Sequence, residues 1–267
     1  MSVQFRKIDH ESLAREQTLV DMHLHTKYSF DCATKPAAII KMARKRHIGV
    51  AITDHNEIKG VKAVMASKDA KGVLIIPGIE ITSKEFKDVL CYFNTLRELE
   101  EFYDRAILPH KTRIKRLRMN KVKLPMATII REAKAHGGTV CVPHPFAIAK
   151  NSYKFFSRQE HHALLQHVDA IEVANGTQTR MANMASFGWT HLVHKPTMGG
   201  SDSHMAMTIG SVVTAAYGGT PTTFLEQVRG GNAKVFGLEY KKRVKIINNL
   251  SMLKNKLLKN KKIPLRV

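Results

Sequence analysis

The run Asp21-Met22-His23-Leu24-His25-Thr26 sets two imidazoles two residues apart. On a strand, residues at that spacing point to the same side, so both rings can meet one ion. Alone the pair is a weak signal, because the chain has 14 histidines and chance pairs are expected. Its company is more telling. Ligand-type side chains recur at Asp54-His55, Glu80, His144 and Asp202-x-His204, each just after an apolar run. Imidazole and carboxylate together suit zinc, manganese or iron. A hydrogen-bonded strand-end group would explain any one of these residues. Several of them after successive strands point to a shared metal site.

Such residues need elements that bring them to one place. Short apolar runs at 50–53, 73–76, 79–81, 89–93, 139–142, 170–173 and 211–216 predict strands. Amphipathic stretches at 36–47, 58–68, 96–107, 126–136, 179–187 and 221–229 predict helices. Pro36 and Gly49 bracket the first of these as a first-turn proline and a residue just past the helix end. Strand-then-helix order throughout predicts an α/β fold with a parallel sheet or barrel. In such barrels the sites form at the C-terminal ends of the strands, where the candidate ligands fall.

With 267 residues and 43% hydrophobic residues, the chain can bury a sizeable core as one large domain or one domain plus an appendage. The first ten residues have no apolar signal region, and no run is long enough to cross a bilayer. Cys32, Cys91 and Cys141 are scattered, which argues against a disulfide framework and for a reducing, cytoplasmic setting.

The net charge of +21 is concentrated locally. Residues 109–123 hold seven basic residues and no acids, and residues 241–267 hold ten and no acids. Removing those 17 leaves 26 basic against 22 acidic residues, so the body is only mildly basic. The two segments are candidate surfaces for RNA or DNA, with a solvated, solubilising face as the alternative. In the second segment Ile246, Leu250, Leu253 and Leu257 recur at helical spacing. The expected arrangement is a terminal helix docked on the barrel by that stripe, the other being a basic amphipathic helix for a membrane, nucleic acid or partner.

Six stretches together resemble the PHP family, named for its polymerase and histidinol-phosphatase members. They are Asp21 to Thr26, Ser29-Phe30-Asp31, Ile52 to Asn56, Pro77 to Ile81, Pro143-His144-Pro145 and Gly200 to His204, in the family's order. The resemblance implies a distorted (β/α)7 barrel, assigned to residues 1–238; charge and spacing make 239–267 a basic, helical C-terminal tail. It implies two or three divalent ions, Mn, Fe or Zn. His23, His25, Glu80 and Asp202 would hold one, and Glu80 would bridge to a second shared with His144. His55 and His204 would hold a third, with Asp31 or Asp54 nearby. Two positions depart from the family pattern: Cys32 stands where many members have glycine, and Asp88 falls near where many carry a further histidine, which makes Asp88 the candidate metal ligand there.

The chemistry implied is phosphate-ester hydrolysis by a metal-activated water. His55, His204 and Asp202 are the catalytic candidates, the histidines as proton donors to the leaving group. Arg113, Lys115 and Arg116 are candidates for holding a substrate phosphate. A nucleotide-type substrate is expected: a nucleoside 3′,5′-bisphosphate, a mononucleotide, or the 5′ end of a short RNA or DNA. Histidinol phosphate is the alternative substrate. A nucleic-acid-binding or polymerase-associated module with a non-catalytic metal site is the alternative from another class. The oligomeric state is left open.

Overall fold

The computed structural model describes residues 2–114, 119–148 and 150–261. Lys115 and Arg116 lie outside the described residues, and Arg113 is described by its backbone alone.

The strands, in chain order, are β1 (Ser2–Gln4), β2 (Thr18–Leu24), β3 (Gly49–Ile52), β4 (Ile75–Thr82), β5 (Asp88–Tyr92), β6 (Lys111–Ile114), β7 (Met119–Val122), β8 (Thr139–Val142), β9 (Ala170–Asn175), β10 (Thr197–Gly200), β11 (Val212–Ala216) and β12 (Lys234–Gly237). Ten of them form one sheet in the order β1-β12-β11-β2-β3-β4-β5-β8-β9-β10. Strands β2, β3 and β4 are parallel, as are β8, β9 and β10, while β5 runs antiparallel to both neighbours. Every residue of β3, β4, β5, β8 and β9 is buried. Burial on both faces explains why they read in sequence as unbroken apolar runs rather than alternating ones.

The sheet curls until its last strand, β10, meets β2. Past the end of β10, the Asp202 amide donates to the His23 carbonyl at 2.7 Å, and the His25 amide donates to the Ser203 carbonyl at 3.0 Å. The result is a nearly closed barrel-shaped sheet. Gly200 permits the closure, since a Cβ there would sit 2.4 Å from the His23 nitrogen.

Apolar side chains of β2, β3, β4, β5, β8, β9 and β10 form one cluster, to which the helix Pro221–Arg229 adds Phe224, Leu225 and Val228. A larger cluster joins the strands to the helices Pro36–Lys45, Lys59–Met65 and Met126–Ala135. Helix starts carry local signals: Pro36 stands in the first turn, and Thr95 with Glu98 forms a capping box ahead of Leu96–Phe102.

One expectation, that for the tail, needs correction. The basic stretch after residue 109 contains two antiparallel strands, β6 paired with β7. Its first lysine is already committed: Lys111 Nζ lies 2.9 Å from Glu57 Oε2 and 3.1 Å from the Tyr103 hydroxyl. The tail does form a helix, Lys242–Lys261, but it docks the opposite way round. Ile246, Leu250, Leu253 and Leu257 are 41–61% exposed, while Asn248 and Asn255 are buried. Where the helix is anchored it meets loop carbonyls, which need donors that leucine lacks and asparagine and lysine have.

Among the described residues no helix is long and apolar enough to cross a membrane, and the three cysteines are free and buried.

Candidate metal centre

The barrel brings the ligand-type residues to the C-terminal ends of its strands. His23 lies near the end of β2 and His25 just beyond it; His55 follows β3, Glu80 lies late in β4, and His144 follows β8. Asp202 and His204 follow β10. His144 and Asp202 hold positive backbone φ angles of 29° and 51°, uncommon for residues with a side chain and concentrated at functional sites.

Glu80 is the hub. Its Oε2 lies 3.4 Å from His23 Nε2, 3.5 Å from His25 Nε2 and 3.0 Å from His55 Nδ1, while Oε1 lies 3.2 Å from His144 Nε2. Asp202 Oδ1 lies 3.2 Å from His25 Nε2 and 3.7 Å from His23 Nε2. Asp31 Oδ2 lies 3.5 Å from His55 Nε2 and 3.4 Å from His204 Nε2. Among the described residues four groups have ligand atoms within 4.8 Å of one another: His25, His55 and His204; His23, His144 and Asp202; His23, His25 and Glu80; and Glu80, Asp88 and His144.

The donor set fits divalent cations. His23 Nε2, His55 Nδ1, His204 Nε2 and Glu80 Oε2 are buried without an aligned hydrogen-bond partner, although they crowd together at ion-pair distances. A buried, unsatisfied polar atom is costly, and several aimed at one another are what cations between them would satisfy. Neighbouring groups orient the rings. His23 Nδ1 donates to Glu172 Oε1 at 3.0 Å, which turns Nε2 toward Glu80. His204 Nδ1 donates to the Asp202 carbonyl at 3.0 Å, which turns its Nε2 toward Asp31.

Electrostatics of the metal-free cluster follow from burial set against these pairings. Burial opposes charge on Glu80, Asp202 and Asp31, yet the facing imidazoles hold all three well below the usual carboxylate range. Burial would lower His55, but Glu80 and Asp31 push it up to about 9. His23 is raised despite burial by Glu172, Asp202 and Glu80. His25 goes the other way: burial and the adjacent His204 bring it down to about 4.

Asp88 and Asp54 stand differently from the rest. Asp88 Oδ1 accepts from the Thr82 hydroxyl at 2.7 Å and from Lys150 Nζ at 2.7 Å, so the aspartate beside Glu80 and His144 is already paired with a cation. Both Asp54 oxygens accept from Thr26, its amide and its hydroxyl each at 2.6 Å, and Asp54 joins none of the four groups.

Sequence reading missed several participants. Glu172 of β9 orients His23 and accepts from the His144 amide at 2.8 Å. Its signal was a carboxylate inside an apolar strand, Ala170-Ile171-Glu172-Val173, which burial permits only with partners. The Thr177 hydroxyl donates to Asp202 Oδ2 at 3.0 Å. Lys150 and Lys256 reach the mouth of the site, and no spacing marked either.

Above the cluster opens a cavity of about 690 Å³ with apolar walls from Phe30, Phe146, Met181 and Met252. A hollow of about 940 Å³ lies at the other end of the strands, around Thr18, Gly49 and Leu74, and contains none of the ligand-type cluster.

Comparison with known proteins follows the same lines. Residues 21–199 match the family model described as PHP domain, and residues 180–233 match one described as PHP-associated. An uncharacterized protein of Methanocaldococcus jannaschii is 29% identical over 138 residues, covering 48% of this chain and 67% of that one. A Bacteroides vulgatus two-domain protein, described as containing a predicted PHP-like metal-dependent phosphoesterase, aligns with TM-score 0.63 and 18% identity over 89% of this chain and 68% of its own. A lesion-specific endonuclease from Pyrococcus furiosus aligns with TM-score 0.64 and 19% identity over 82% of this chain and 57% of its own. An endonuclease Q bound to a 27-mer duplex with an abasic lesion aligns with TM-score 0.66 and 20% identity, covering 84% of this chain and 60% of that one.

Proposed function

The chain belongs to the PHP domain family, and from that premise we propose that it is a metal-dependent phosphoesterase acting on nucleotide-type phosphates. The observation that carries the reading is the hub at Glu80, where one carboxylate oxygen has three imidazole nitrogens within 3.5 Å. His23, His25, Glu80 and Asp202 would hold one divalent ion, Glu80 with His144 a second, and His55, His204 and Asp31 a third. Bound there, such ions supply an attacking water that is acidic enough at neutral pH and positive charge for the phosphate oxygens.

The chain's own residues do the rest. Glu172 keeps the His23 lone pair turned inward. His55 and His204 stand at the outer side of the cluster, on the cavity, and whichever of them is not committed as a ligand can serve as proton donor to a leaving oxygen. Lys150 and Lys256 line the cavity and give a phosphate charge complementarity. Phe30 and Phe146 offer flat apolar surface to a base. The similarity to endonucleases supports a nucleic-acid or nucleotide substrate. The basic segments 109–123 and 241–267 fit a polyanion more readily than histidinol phosphate.

The test is metal analysis of the purified chain, followed by Mn²⁺-supported turnover of p-nitrophenyl phosphate, its bis ester, a nucleoside 3′,5′-bisphosphate, a 5′-phosphorylated oligonucleotide and histidinol phosphate. Metal uptake with preference for the nucleotide substrates is expected. A chain that takes up no metal and turns over none of them overturns the reading. Preference for histidinol phosphate overturns the substrate class alone.

A further inference from the structure

The C-terminal helix Lys242–Lys261 buries the wrong face for a helix seeking an apolar core. What it covers explains this. Lys259 Nζ donates to three carbonyls of one loop: Lys27 at 2.6 Å, Cys32 at 2.6 Å, and Ser29. An ammonium has three N–H donors, and all three are used. One helical turn earlier, Asn255 Nδ2 donates to the Asp31 carbonyl at 3.2 Å. Four carbonyls of the 27–32 loop thus depend on two side chains of the tail. That loop delivers Asp31 to His55 and His204, with the Ser29 hydroxyl donating to Asp31 Oδ1 at 2.7 Å.

The other end of the helix grips a second loop of the site. Lys245 Nζ donates to the Gln178 carbonyl, next to Thr177, whose hydroxyl meets Asp202. Between the two anchors, Asn248, Asn249, Met252 and Lys256 face the cavity. The helix is a strap across the mouth, tied to the Asp31 loop at one end and to the Thr177 loop at the other.

We propose that the C-terminal helix is a working part of the catalytic centre, with Lys259 and Asn255 as positioning residues that hold Asp31 toward the outer metal position at His55 and His204. The inference rests on the metal-site reading given under Proposed function. It separates the outer position from the inner one at His23 and Glu80, which stand on strands; of the inner residues only Asp202 is reached from the tail, and that through Lys245 and Thr177 and not through Lys259 or Asn255. Lys259→Met keeps the aliphatic stem and removes the three donors, whereas Lys259→Arg keeps charge and donors.

The experiment is Mn²⁺ binding to full-length wild-type, Lys259→Met and Lys259→Arg proteins by equilibrium dialysis, with thermal unfolding in EDTA and turnover of bis(p-nitrophenyl) phosphate. In Lys259→Met one class of Mn²⁺ site is expected to weaken about 10- to 100-fold, the range for partners that orient a metal ligand. The tightest class stays unchanged, kcat falls in step with the weakened site, and Lys259→Arg recovers most of both. Unchanged binding in Lys259→Met overturns the inference. Equal weakening of every class together with a lowered unfolding temperature also overturns it, because a merely structural tail would behave that way. If Lys259→Met does not fold, Asn255→Ala carries the same comparison. A wild-type chain that binds no Mn²⁺ overturns the underlying reading and this inference together, whereas wild-type binding with insensitive variants overturns this inference alone.

Discussion

On the floor of the cluster, His23, Glu80 and His144 stand on or directly after strands, and Glu172 fastens two of them with hydrogen bonds of 3.0 and 2.8 Å from β9. At its rim, Asp31 rides on a loop whose carbonyl is held by Asn255, 224 residues further along the chain. The floor takes its precision from the sheet: once the barrel closes, its side chains have nowhere else to be. The rim has no sheet beneath it and is held by long-range polar ties. A site built in these two ways should fail in two ways, and variants can separate them.

The largest effect is expected on the floor. His23→Ala removes a ring shared by two of the four candidate groups. Turnover should fall about 10³-fold or more, on the order of 4 kcal/mol of transition-state stabilisation. Far-ultraviolet circular dichroism should keep the wild-type spectrum. Near-normal turnover would remove His23 from the centre and dissolve the distinction between floor and rim.

Next comes Glu172→Gln, which keeps the shape but removes the charge behind His23. Metal affinity or activity should drop about 10- to 100-fold. Because Glu172 also accepts from the His144 amide and from Asn175, the loss should fall on the floor ions and spare the rim. Competition with a chelator, run beside Lys259→Met, reads the two patterns against each other.

Lys150→Met should cost less. It releases Asp88 from a 2.7 Å ion pair and takes one cation from the cavity. A charge-assisted hydrogen bond contributes about 1.5–3 kcal/mol, so KM for a phosphate monoester should rise about tenfold or more. Affinity for Mn²⁺ should rise or stay level, since Asp88 is freed beside Glu80 and His144. A fall in Mn²⁺ affinity would count against Asp88 as a ligand.

The candidate ligands of floor and rim alike were legible in sequence, but the ties that hold the rim were not, for a physical reason. Strand-end ligands are marked by a short apolar run with a histidine or carboxylate just past it, as at His23, Glu80, His144 and Asp202. The loops around the site are tied by contacts with no sequence period: Thr177 to Asp202, Lys150 to Asp88, Lys259 to three carbonyls. The tail shows the difference most sharply. Its leucine stripe was legible as one face of a helix, and periodicity alone implied that this face docks. Whether a face docks depends on the surface beneath it, and here the anchoring points are backbone carbonyls. Glu172 was hidden for a related reason: a carboxylate in a buried strand announces a partner without saying which.

Acid and base should also pull differently on the metal-free protein. His55 is held at about 9 when folded against 6.5 when free. Its contribution is therefore fully present below pH 6.5 and is lost as pH rises toward 9. Asp31, Glu80 and Asp202 are depressed, so their contribution is present above the usual carboxylate range and is lost on acidification. In EDTA the unfolding temperature should fall on both sides of a maximum near neutral pH. Saturating Mn²⁺ should flatten the alkaline side, because ligation favours deprotonated imidazole. An alkaline side equally steep with and without Mn²⁺ would mean that His55 is not a ligand.

The smallest effect is expected at Asp54, a metal candidate in sequence whose oxygens are both occupied by Thr26. Asp54→Asn leaves one of the Thr26 donors facing an amide nitrogen, which should cost about 1–3 kcal/mol of stability. It should leave Mn²⁺ stoichiometry and kcat as they were. Burial raises the Asp54 carboxyl to about 6 even with both donations from Thr26, so its ionisation weakens the fold as pH climbs from 3.8 to about 6. The asparagine has no such slope. The stability gap between the two proteins should therefore be widest near pH 4 and narrow above pH 6, read by urea unfolding at both values. Loss of one Mn²⁺ per chain in this variant would instead make Asp54 a ligand and move the boundary of the floor outward by one residue.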